Sequence, residues 1–349
     1  MIERRGFLRS LMGLTAGLAV GRGPLSAQAQ GVVGALAGPP TGDRLGKLLP
    51  MRRLGRTNEW VTSLCLGGSH IEYRGQVSLR DAQEIIELSL EEGVRFFDNA
   101  QQYGDGEAER RFGHFLTPKY RDVIYLMSKT QATTRKQAER DMDECRQRMN
   151  VDVIDLMQVH HIHSPEDVDQ RIEAGVVDVL LEAQRAGKIR HLGFTGHDTP
   201  RAHLHMLKRL DAMGLKFDTV QMPMNVVDPS YESFIVEVMP ELLKRDIGVL
   251  AMKTLVFGQL VGANEGWNLR NKIAPKVVPE QMTLAEALGF VWSLPVSTIV
   301  SGMRTTAMVR ENAALARAHV DLAEDHRLAL VDKAAAFAGP DTEFYKDRI

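Results

Sequence analysis

Three polar residues recur at a fixed interval in this chain, each at the end of a short apolar run. Asp98, Lys129 and His160 are 31 residues apart, and the runs before them span 94–97, 123–128 and 153–159. Each run is typical of a buried parallel strand. An eightfold (β/α) barrel gives each strand, its helix and two loops roughly 31 residues. The spacing therefore predicts a (β/α)8 barrel of the α/β class, with all three side chains on the rim where barrel enzymes carry out their chemistry.

The rest of the chain continues this alternation of strand-length and helix-length pieces. Further strand ends are expected near Thr195, Gln221, Met252 and Ser301, and Leu64 to Leu66 would be the first of eight strands. Ser78 and the pair Thr283 and Glu286 have the pattern of helix amino-terminal caps. Helical spacing from Val320 to Phe337 falls outside the eight units and predicts an added carboxyl-terminal helix, followed by a charged tail of no evident role.

Composition limits the classes of function. The 349 residues carry a net charge of −2, which gives nucleic acid no electrostatic attraction. Two cysteines are too few for an iron–sulfur cluster or a Cys-rich zinc site. Cys65 on the first strand and Cys145 on a distant helix also argue against a disulfide.

The amino terminus predicts export. Arg4-Arg5-Gly6-Phe7-Leu8-Arg9 precedes a mild apolar stretch from Leu11 to Val20 and then Ala27-Gln28-Ala29, the pattern of a twin-arginine signal with a small-residue cleavage site. Ten apolar residues are too few for a spanning helix, which needs about 20, so no membrane anchor is expected after cleavage. The alternative is an arginine-rich start that is simply disordered. We expect a signal peptide at 1–29, contact with the export machinery, and a periplasmic protein.

Two further segments complete this division of the chain. A flexible linker is predicted at 30–50, because residues 31–46 are rich in Ala, Gly and Pro. The barrel is then expected to occupy 51–349. Cleavage after Ala29 would leave 39 basic and 44 acidic residues, a net charge of −5.

Several motifs resemble the aldo-keto reductase family. The signature-like segment is Phe96-Phe97-Asp98-Asn99-Ala100-Gln101-Gln102-Tyr103-Gly104. Further matches follow in order: Leu54-Gly55-Arg56-Thr57, Cys65-Leu66-Gly67-Gly68, Asp155-Leu156-Met157-Gln158-Val159-His160, and Gly302-Met303-Arg304 with Glu311-Asn312. Several ordered matches are more specific than any one of them. The resemblance implies a barrel that binds NADP(H) without a Gly-rich dinucleotide fold and reduces aldehydes or ketones.

The same resemblance assigns residues to the site. Asp98, Tyr103, Lys129 and His160 would be the catalytic tetrad. Cofactor contacts would come from Gly67, Gly68, Ser69, Thr195, Gln221, Met252, Lys253, Gly302, Met303, Arg304, Met308, Glu311 and Asn312. Thr195 and Gln221 would lie near the nicotinamide carboxamide. Arg304 would bind a 2′-phosphate bidentately, which favours NADP(H), and NAD(H) is the alternative cofactor. No metal is expected, and the sequence predicts neither the oligomeric state nor the carbonyl substrate.

The chemistry requires these residue types on its own terms. Hydride delivered to a carbonyl carbon leaves negative charge on the oxygen, which needs a proton donor such as Tyr103. A cationic Lys129 about 4 Å away would favour the phenolate by roughly 4 kcal/mol, before burial opposes it. Asp98 would hold the ammonium and keep it charged, and a neutral His160 would orient the carbonyl.

Two departures from the family pattern concern the cofactor. Met252-Lys253-Thr254-Leu255 stands where many relatives have Tyr-Ser-Pro-Leu, so the aromatic platform under nicotinamide is missing. Thr195-Gly196-His197 replaces a common Ser-Asn, so one amide contact is lost or supplied elsewhere. Met308 replaces a polar residue or Arg that often covers the adenine, which weakens the case for NADP over NAD.

Two alternatives of other classes stay open. A barrel that binds the cofactor with little turnover would sense redox state or bind a partner. A metal-dependent hydrolase would use His161 and His163, which are two apart and would point the same way on a strand. The predicted strand ends at Thr195, Gln221 and Met252 offer that hydrolase poor further ligands. Substrate choice is expected to depend on the loops 70–76 and 254–280.

Overall fold

Eight parallel strands close into a barrel, as the spacing predicts. A computed structural model of the chain describes residues 38–72, 75–261 and 282–346. The strands are β1 (Leu64–Gly67), β2 (Phe96–Asp98), β3 (Tyr125–Thr130), β4 (Ile154–Val159), β5 (Ile189–Thr195), β6 (Thr219–Pro223), β7 (Gly248–Met252) and β8 (Thr298–Ser301). Each strand pairs with its neighbours in sequence, and β8 returns to β1 with Val300 opposite Cys65. The predicted (β/α)8 fold is confirmed.

Helices surround the barrel between successive strands. They span Ser69–Glu72, Leu79–Glu91, Glu107–Phe115, Thr117–Tyr120, Arg135–Arg148, Pro165–Glu173, Val176–Arg185, Pro200–Ala212, Phe234–Glu237, Met239–Lys244, Leu284–Trp292, Thr306–Ala318 and Glu324–Ala334. Short 3₁₀ segments span Asp228–Ser230, Val256–Val261 and Ala335–Phe337. The predicted Ser78 cap accepts a hydrogen bond from the Asp81 backbone N–H, and Thr283 with Glu286 forms a capping box. None of the helices in the described ranges is long and apolar enough to cross a membrane.

Alternation along the strands divides the core into two parts. Cys65, Phe96, Met127, Leu156 and Leu250 pack together inside the barrel. Their neighbours along the strands pack instead into the larger layer between strands and helices. These side chains fill the barrel interior, and barrels of this kind carry their chemistry at a rim.

The amino-terminal end of the barrel is closed by two short hairpins, Gly42–Asp43 with Gly46–Lys47 and Met51–Arg53 with Trp60–Thr62. Asp43 accepts hydrogen bonds from the buried Arg95 at 2.6 and 3.0 Å, and Leu49 is fully buried. An ion pair and a buried leucine thus hold Gly42–Leu49, which falls within the predicted linker at 30–50, against the barrel. The predicted signal peptide and residues 30–37 lie outside the described residues.

The carboxyl-terminal tail returns to the opposite rim. Helix Glu324–Ala334 is the added helix, and Arg327 on it donates a 2.6 Å hydrogen bond to the Ser293 carbonyl. Residues 342–346 are then buried against the loops after β5, β6 and β7. No pattern in the sequence predicted this burial. Cys65 and Cys145 are both buried free thiols.

Candidate active site

Lys129 lies at the centre of the cluster that the spacing predicts. Its ammonium donates to Asp98, to the Asn99 carbonyl at 2.7 Å and to the Tyr103 hydroxyl at 3.1 Å. These contacts use all three of its donors. The Lys129 side chain is 1% exposed and that of Asp98 3%. Strands β2 and β3 lie side by side, so the 31-residue spacing brings the two charges into contact.

Tyr103 comes to Lys129 through a tight turn after β2. The Tyr103 backbone N–H donates to the Ala100 carbonyl at 3.0 Å, and the next three residues, Gly104, Asp105 and Gly106, have φ values of 58, 52 and 84°. Left-handed backbone favours glycine, and Asp tolerates it better than most residues. The Gly-Asp-Gly segment therefore turns the chain back sharply enough to leave the phenol over Lys129.

His160 packs against the other side of Tyr103. The two rings meet edge to face with centroids 5.8 Å apart, and His160 Nδ1 is buried with no hydrogen-bond partner among the described residues. Arg171, on the helix after β4, donates to the His160 carbonyl at 2.8 Å and to Asp167 at 2.8 Å. Arg171 thus holds the backbone that carries His160. Sequence reasoning missed Arg171, because its burial and its contact with the His160 carbonyl arise only in the fold.

Burial dominates the proton equilibria of the cluster. It raises the pKa of Tyr103 to about 12, although the adjacent Lys129 acts in the opposite direction. Burial also raises the pKa of Asp98 and, together with Lys129, lowers the pKa of His160 well below 6.5. For Lys129 burial would lower the pKa, but Asp98 and Tyr103 outweigh it and the pKa is raised.

These pKa shifts set the protonation states of the cluster. At neutral pH, Tyr103 is a neutral phenol, Lys129 an ammonium and His160 a neutral imidazole, as a proton-donating site requires. Lys129 lowers the Tyr103 pKa, as expected, but burial raises this pKa by more than Lys129 lowers it.

Glycines allow the protein's own loops to pack closely where the resemblance places the cofactor. A Cβ at Gly68 would lie 2.4 Å from the Asp98 carbonyl oxygen, and one at Gly302 would lie 2.1 Å from the His70 ring. Two polar atoms near this rim, Asn99 Nδ2 and Gln221 Oε1, are buried with no hydrogen-bond partner in the described chain. Unsatisfied buried polar atoms are costly, so this arrangement fits a polar ligand that supplies the missing partners.

The structure brings the predicted phosphate-side residues to one edge of the rim. Arg304 and Met308 line a cleft of about 210 Å³ with Gln76, Val77 and Thr305. Asn312 is buried and donates to the Ser301 hydroxyl at 2.9 Å, so its amide supports the end of β8. The other predicted contacts lie at strand ends or just after them: Gly67, Ser69, Thr195, Met252 and Met303, with Glu311 exposed on the helix after β8.

Lys253 faces an aromatic cluster that sequence reasoning missed. Its Nζ is 4.3 Å from the Phe257 ring centroid and 5.8 Å from that of Tyr345. Phe257 in turn packs on Phe344 at 5.0 Å. The aromatic side chains around the end of β7 therefore come from the following loop and from the carboxyl-terminal tail, whereas the strand end itself carries Met252.

The tail is fixed by a buried ion cluster. Lys346 Nζ lies 2.8 Å from Asp228 and 2.7 Å from Glu343, and all three side chains are excluded from solvent. Tyr345 accepts a 2.9 Å hydrogen bond from Asn225 and donates one of 3.0 Å to Glu343. The cluster ties residues 343–346 to the loop after β6.

The histidines after β4 are arranged differently from the predicted pair. The His161 and His163 rings are 6.0 Å apart, and His163 lies 3.3 Å from Asp167. His161 instead contacts Asp198 and stacks on His197, both of which follow β5.

Comparison with known proteins identifies relatives for most of the described chain. The profile of the Aldo/keto reductase family matches residues 63–339. Protein tas of Escherichia coli is 24% identical over 233 residues, which cover 56% of this chain and 66% of that protein. The uncharacterized oxidoreductase YrpG of Bacillus subtilis is 27% identical over 232 residues, 60% of this chain and 67% of that protein. The match thus spans just under two thirds of Protein tas.

Solved structures agree on the fold. The holo form of the aldo-keto reductase AKR11C1 from Bacillus halodurans superposes with a TM-score of 0.67 at 19% identity, covering 84% of this chain and 99% of that one. A putative aldo-keto reductase from Pseudomonas aeruginosa gives 0.59 at 20% identity, covering 76% and 94%. At these identities the likeness concerns the barrel architecture.

Proposed function

This chain belongs to the aldo/keto reductase family, and on that premise we propose that it reduces an aldehyde or ketone to an alcohol with NADPH, or catalyses the reverse. The observation that carries the proposal is the ammonium of Lys129, held between Asp98 and the Tyr103 hydroxyl. A buried phenol beside a fixed cation is suited to give up a proton and to tolerate the charge that remains.

The roles of the four residues follow from their geometry. A bound nicotinamide would supply the hydride to the carbonyl carbon. Tyr103 then transfers its hydroxyl proton to the carbonyl oxygen, and Lys129 stabilises the resulting phenolate. Asp98 keeps Lys129 in place and charged. His160, a neutral imidazole against the Tyr103 ring, orients the carbonyl oxygen by a hydrogen bond.

The residues present fit a nicotinamide nucleotide along the rim. Gln221, whose Oε1 is buried without a described partner, would hold the carboxamide together with Thr195. Arg304, in the cleft beside Met308, would bind a 2′-phosphate with its planar fork.

Turnover is the test that separates this function from a cofactor-binding sensor. Loss of NADPH absorbance is followed after adding a panel of aldehydes and ketones, and alcohols are tested with NADP⁺. Repeated turnover with at least one compound is expected. Oxidation of no more than one NADPH per chain across the panel would favour the low-turnover alternative.

Arg304 tests the choice of NADPH. We expect Arg304→Ala to weaken NADPH binding by about 1.5–3 kcal/mol, the range for hydrogen bonds to a charged group, and to change NADH binding much less. Arg310→Ala is the matched control, because Arg310 is exposed on the helix that follows. If Arg304→Ala weakens the binding of NADPH and NADH equally, either the 2′-phosphate is bound elsewhere or NADPH is not preferred.

We also propose that the protein is exported in folded form by the twin-arginine route and works in the periplasm. The Arg4-Arg5 motif and the following apolar and small residues support this. Arg4→Lys combined with Arg5→Lys should leave the protein in the cytoplasm. Unchanged export of that double variant, measured by cell fractionation, would contradict the proposal.

A further inference from the structure

Two loops of the rim bring imidazole and carboxylate groups together beside the proposed active site. His161 follows the catalytic candidate His160, and His197 and Asp198 follow β5. One possible ligand atom from each of the three lies within 4.8 Å of the others. His161 Nε2 is 2.6 Å from Asp198 Oδ2, and His197 Nδ1 is 3.5 Å from the same oxygen.

Local backbone geometry forces these loops together. Gly196 lies against the loop after β4, where a Cβ would be 2.3 Å from the Ile162 carbonyl oxygen. The Ile162 N–H donates to the Thr195 carbonyl at 2.9 Å. His161 itself has a φ of 57°, a conformation that non-glycine residues adopt mainly at constrained sites. The side chains are thus positioned by the main chain on both loops.

Burial and charge single out Asp198. Its side chain is 2% exposed, and buried carboxylates are normally paired with cations. Within the described chain its ion-pair partners are the two imidazoles, which are charged only when protonated. A bound cation could take the place of the proton between this carboxylate and an imidazole.

The orientation of His197 also suits a ligand. Its Nδ1 is 3.2 Å from the Tyr345 carbonyl oxygen, and a carbonyl only accepts hydrogen bonds. Nδ1 therefore donates to this carbonyl, and Nε2 is the nitrogen through which a neutral His197 would bind an ion. Metal-binding histidines commonly donate their second nitrogen to a backbone carbonyl in this way.

We propose that His161, His197 and Asp198 bind one divalent transition-metal ion of the zinc class. Two imidazoles and one carboxylate are a donor set that zinc accepts, with metal–ligand distances of about 2.0–2.2 Å. Tetrahedral geometry at those distances separates ligands by roughly 3.3 Å, so the His161–Asp198 contact opens by less than about 1 Å as the ion replaces the shared proton. Because His197 also contacts Tyr345, the ion links the loops after β4 and β5 to the carboxyl-terminal tail.

Direct titration tests the site. Protein freed of its affinity tag and stripped with a chelator is titrated with Zn²⁺ by calorimetry, and with Co²⁺ by visible absorption. One ion per chain with a Kd of about 10 µM or tighter is expected, with the absorption of tetrahedral Co²⁺. Binding should also raise the unfolding temperature. Failure of the wild-type protein to bind either ion with at least this affinity would overturn the proposal.

Variants assign the ligands. His161→Asn keeps a residue that tolerates positive φ, and Asp198→Asn keeps the shape of the carboxylate; each should weaken Zn²⁺ binding at least about 10-fold. His205→Asn is the control, because His205 also contacts a carboxylate, Asp169 at 2.8 Å, but that carboxylate is paired with Arg209 and not with a second histidine. His163→Asn should leave affinity unchanged.

The pattern of losses decides the outcome. Equal weakening in the His205 or His163 variant would show binding at another place and would overturn this ligand set. Circular dichroism of the metal-free variants shows whether they are folded, and the Co²⁺ spectrum of the wild-type protein tests the site without any substitution.

Discussion

Lys129 and Lys346 are both fully buried at the rim of this barrel, but their oxygen partners differ. Lys129 contacts one carboxylate, Asp98, one carbonyl and the Tyr103 hydroxyl. Lys346 contacts two carboxylates, Asp228 and Glu343, and the Tyr231 carbonyl at 2.7 Å. Both ammonium groups therefore have three oxygen partners, but only that of Lys129 touches a phenol, a group that can lose a proton during a reaction.

This difference separates a reactive cluster from a structural one. Tyr103 is partly exposed at the rim and can meet a substrate, whereas the partners of Lys346 are excluded from solvent. The two clusters also differ in how far apart their contacting residues lie in the sequence. Asp98 and Lys129 are on adjacent strands, but Lys346 and Asp228 are 118 residues apart and meet only because the tail folds back. We expect substitutions at the first cluster to change chemistry and substitutions at the second to change stability.

The largest expected effect is the loss of the Tyr103 hydroxyl. Tyr103→Phe removes the proton donor, so kcat should fall by about 10²–10⁴, the range for general acid catalysis, with cofactor affinity nearly unchanged. Tyr125→Phe is the matched control, since the Tyr125 hydroxyl is also buried and has no hydrogen-bond partner among the described residues. Near wild-type turnover of Tyr103→Phe in a steady-state assay would remove Tyr103 from the mechanism.

The two lysines should separate stability from chemistry. Lys346→Met leaves two buried carboxylates without their cation, so the free energy of unfolding should fall by about 3–5 kcal/mol, while folded protein keeps its kcat. Lys129→Met should also destabilise the fold, but it should in addition lower kcat. Because Lys129 opposes the upward effect of burial on the Tyr103 pKa, its loss should move the basic limb of the pH–rate profile upward.

Urea unfolding and the pH dependence of kcat measure this contrast. Loss of kcat in folded Lys346→Met would show that the tail takes part in chemistry. An unchanged pH profile in Lys129→Met would make Lys129 structural, and the difference between the two clusters would disappear.

The first cluster was predictable from sequence because its spacing is set by the repeating unit. One barrel unit separates Asp98 from Lys129, and a second separates Lys129 from His160. The Gly-Asp-Gly turn after Tyr103 is likewise local. What the sequence did not predict was the balance of burial against charge on the Tyr103 pKa, because burial depends on every loop around the rim.

The second cluster was not predictable, since no periodic pattern connects a tail with the loop after β6. The charged tail that contains Glu343 and Lys346 had no evident role in the sequence, and the burial of both residues depends on Asp228. The group of His161, His197 and Asp198 is an intermediate case. His161 and His197 are 36 residues apart, each just after a strand, and that interval was a signal for neighbouring positions on the rim.

The smallest expected effect is a pH dependence of stability that arises from Glu343. Burial raises its pKa from 4.5 to about 7, with Asp228 adding to the rise and Lys346 opposing it. A carboxyl group whose pKa is higher in the folded state favours folding when it is protonated. Its contribution is therefore fully present below pH 4.5 and is lost as the pH rises through about 7.

Glu343→Gln should remove this dependence, because an amide does not titrate. In the wild-type protein the contribution should decrease by roughly 2–3 kcal/mol at most between pH 4.5 and 7, and the variant should lack that slope in urea unfolding measured across this range. Glu91→Gln, on the exposed end of an outer helix, should keep the wild-type slope. If Glu343→Gln shows the same pH dependence of the free energy of unfolding as the wild-type protein, Glu343 stays ionised beside Lys346. The tail cluster would then be an ion pair like that of Asp98 and Lys129.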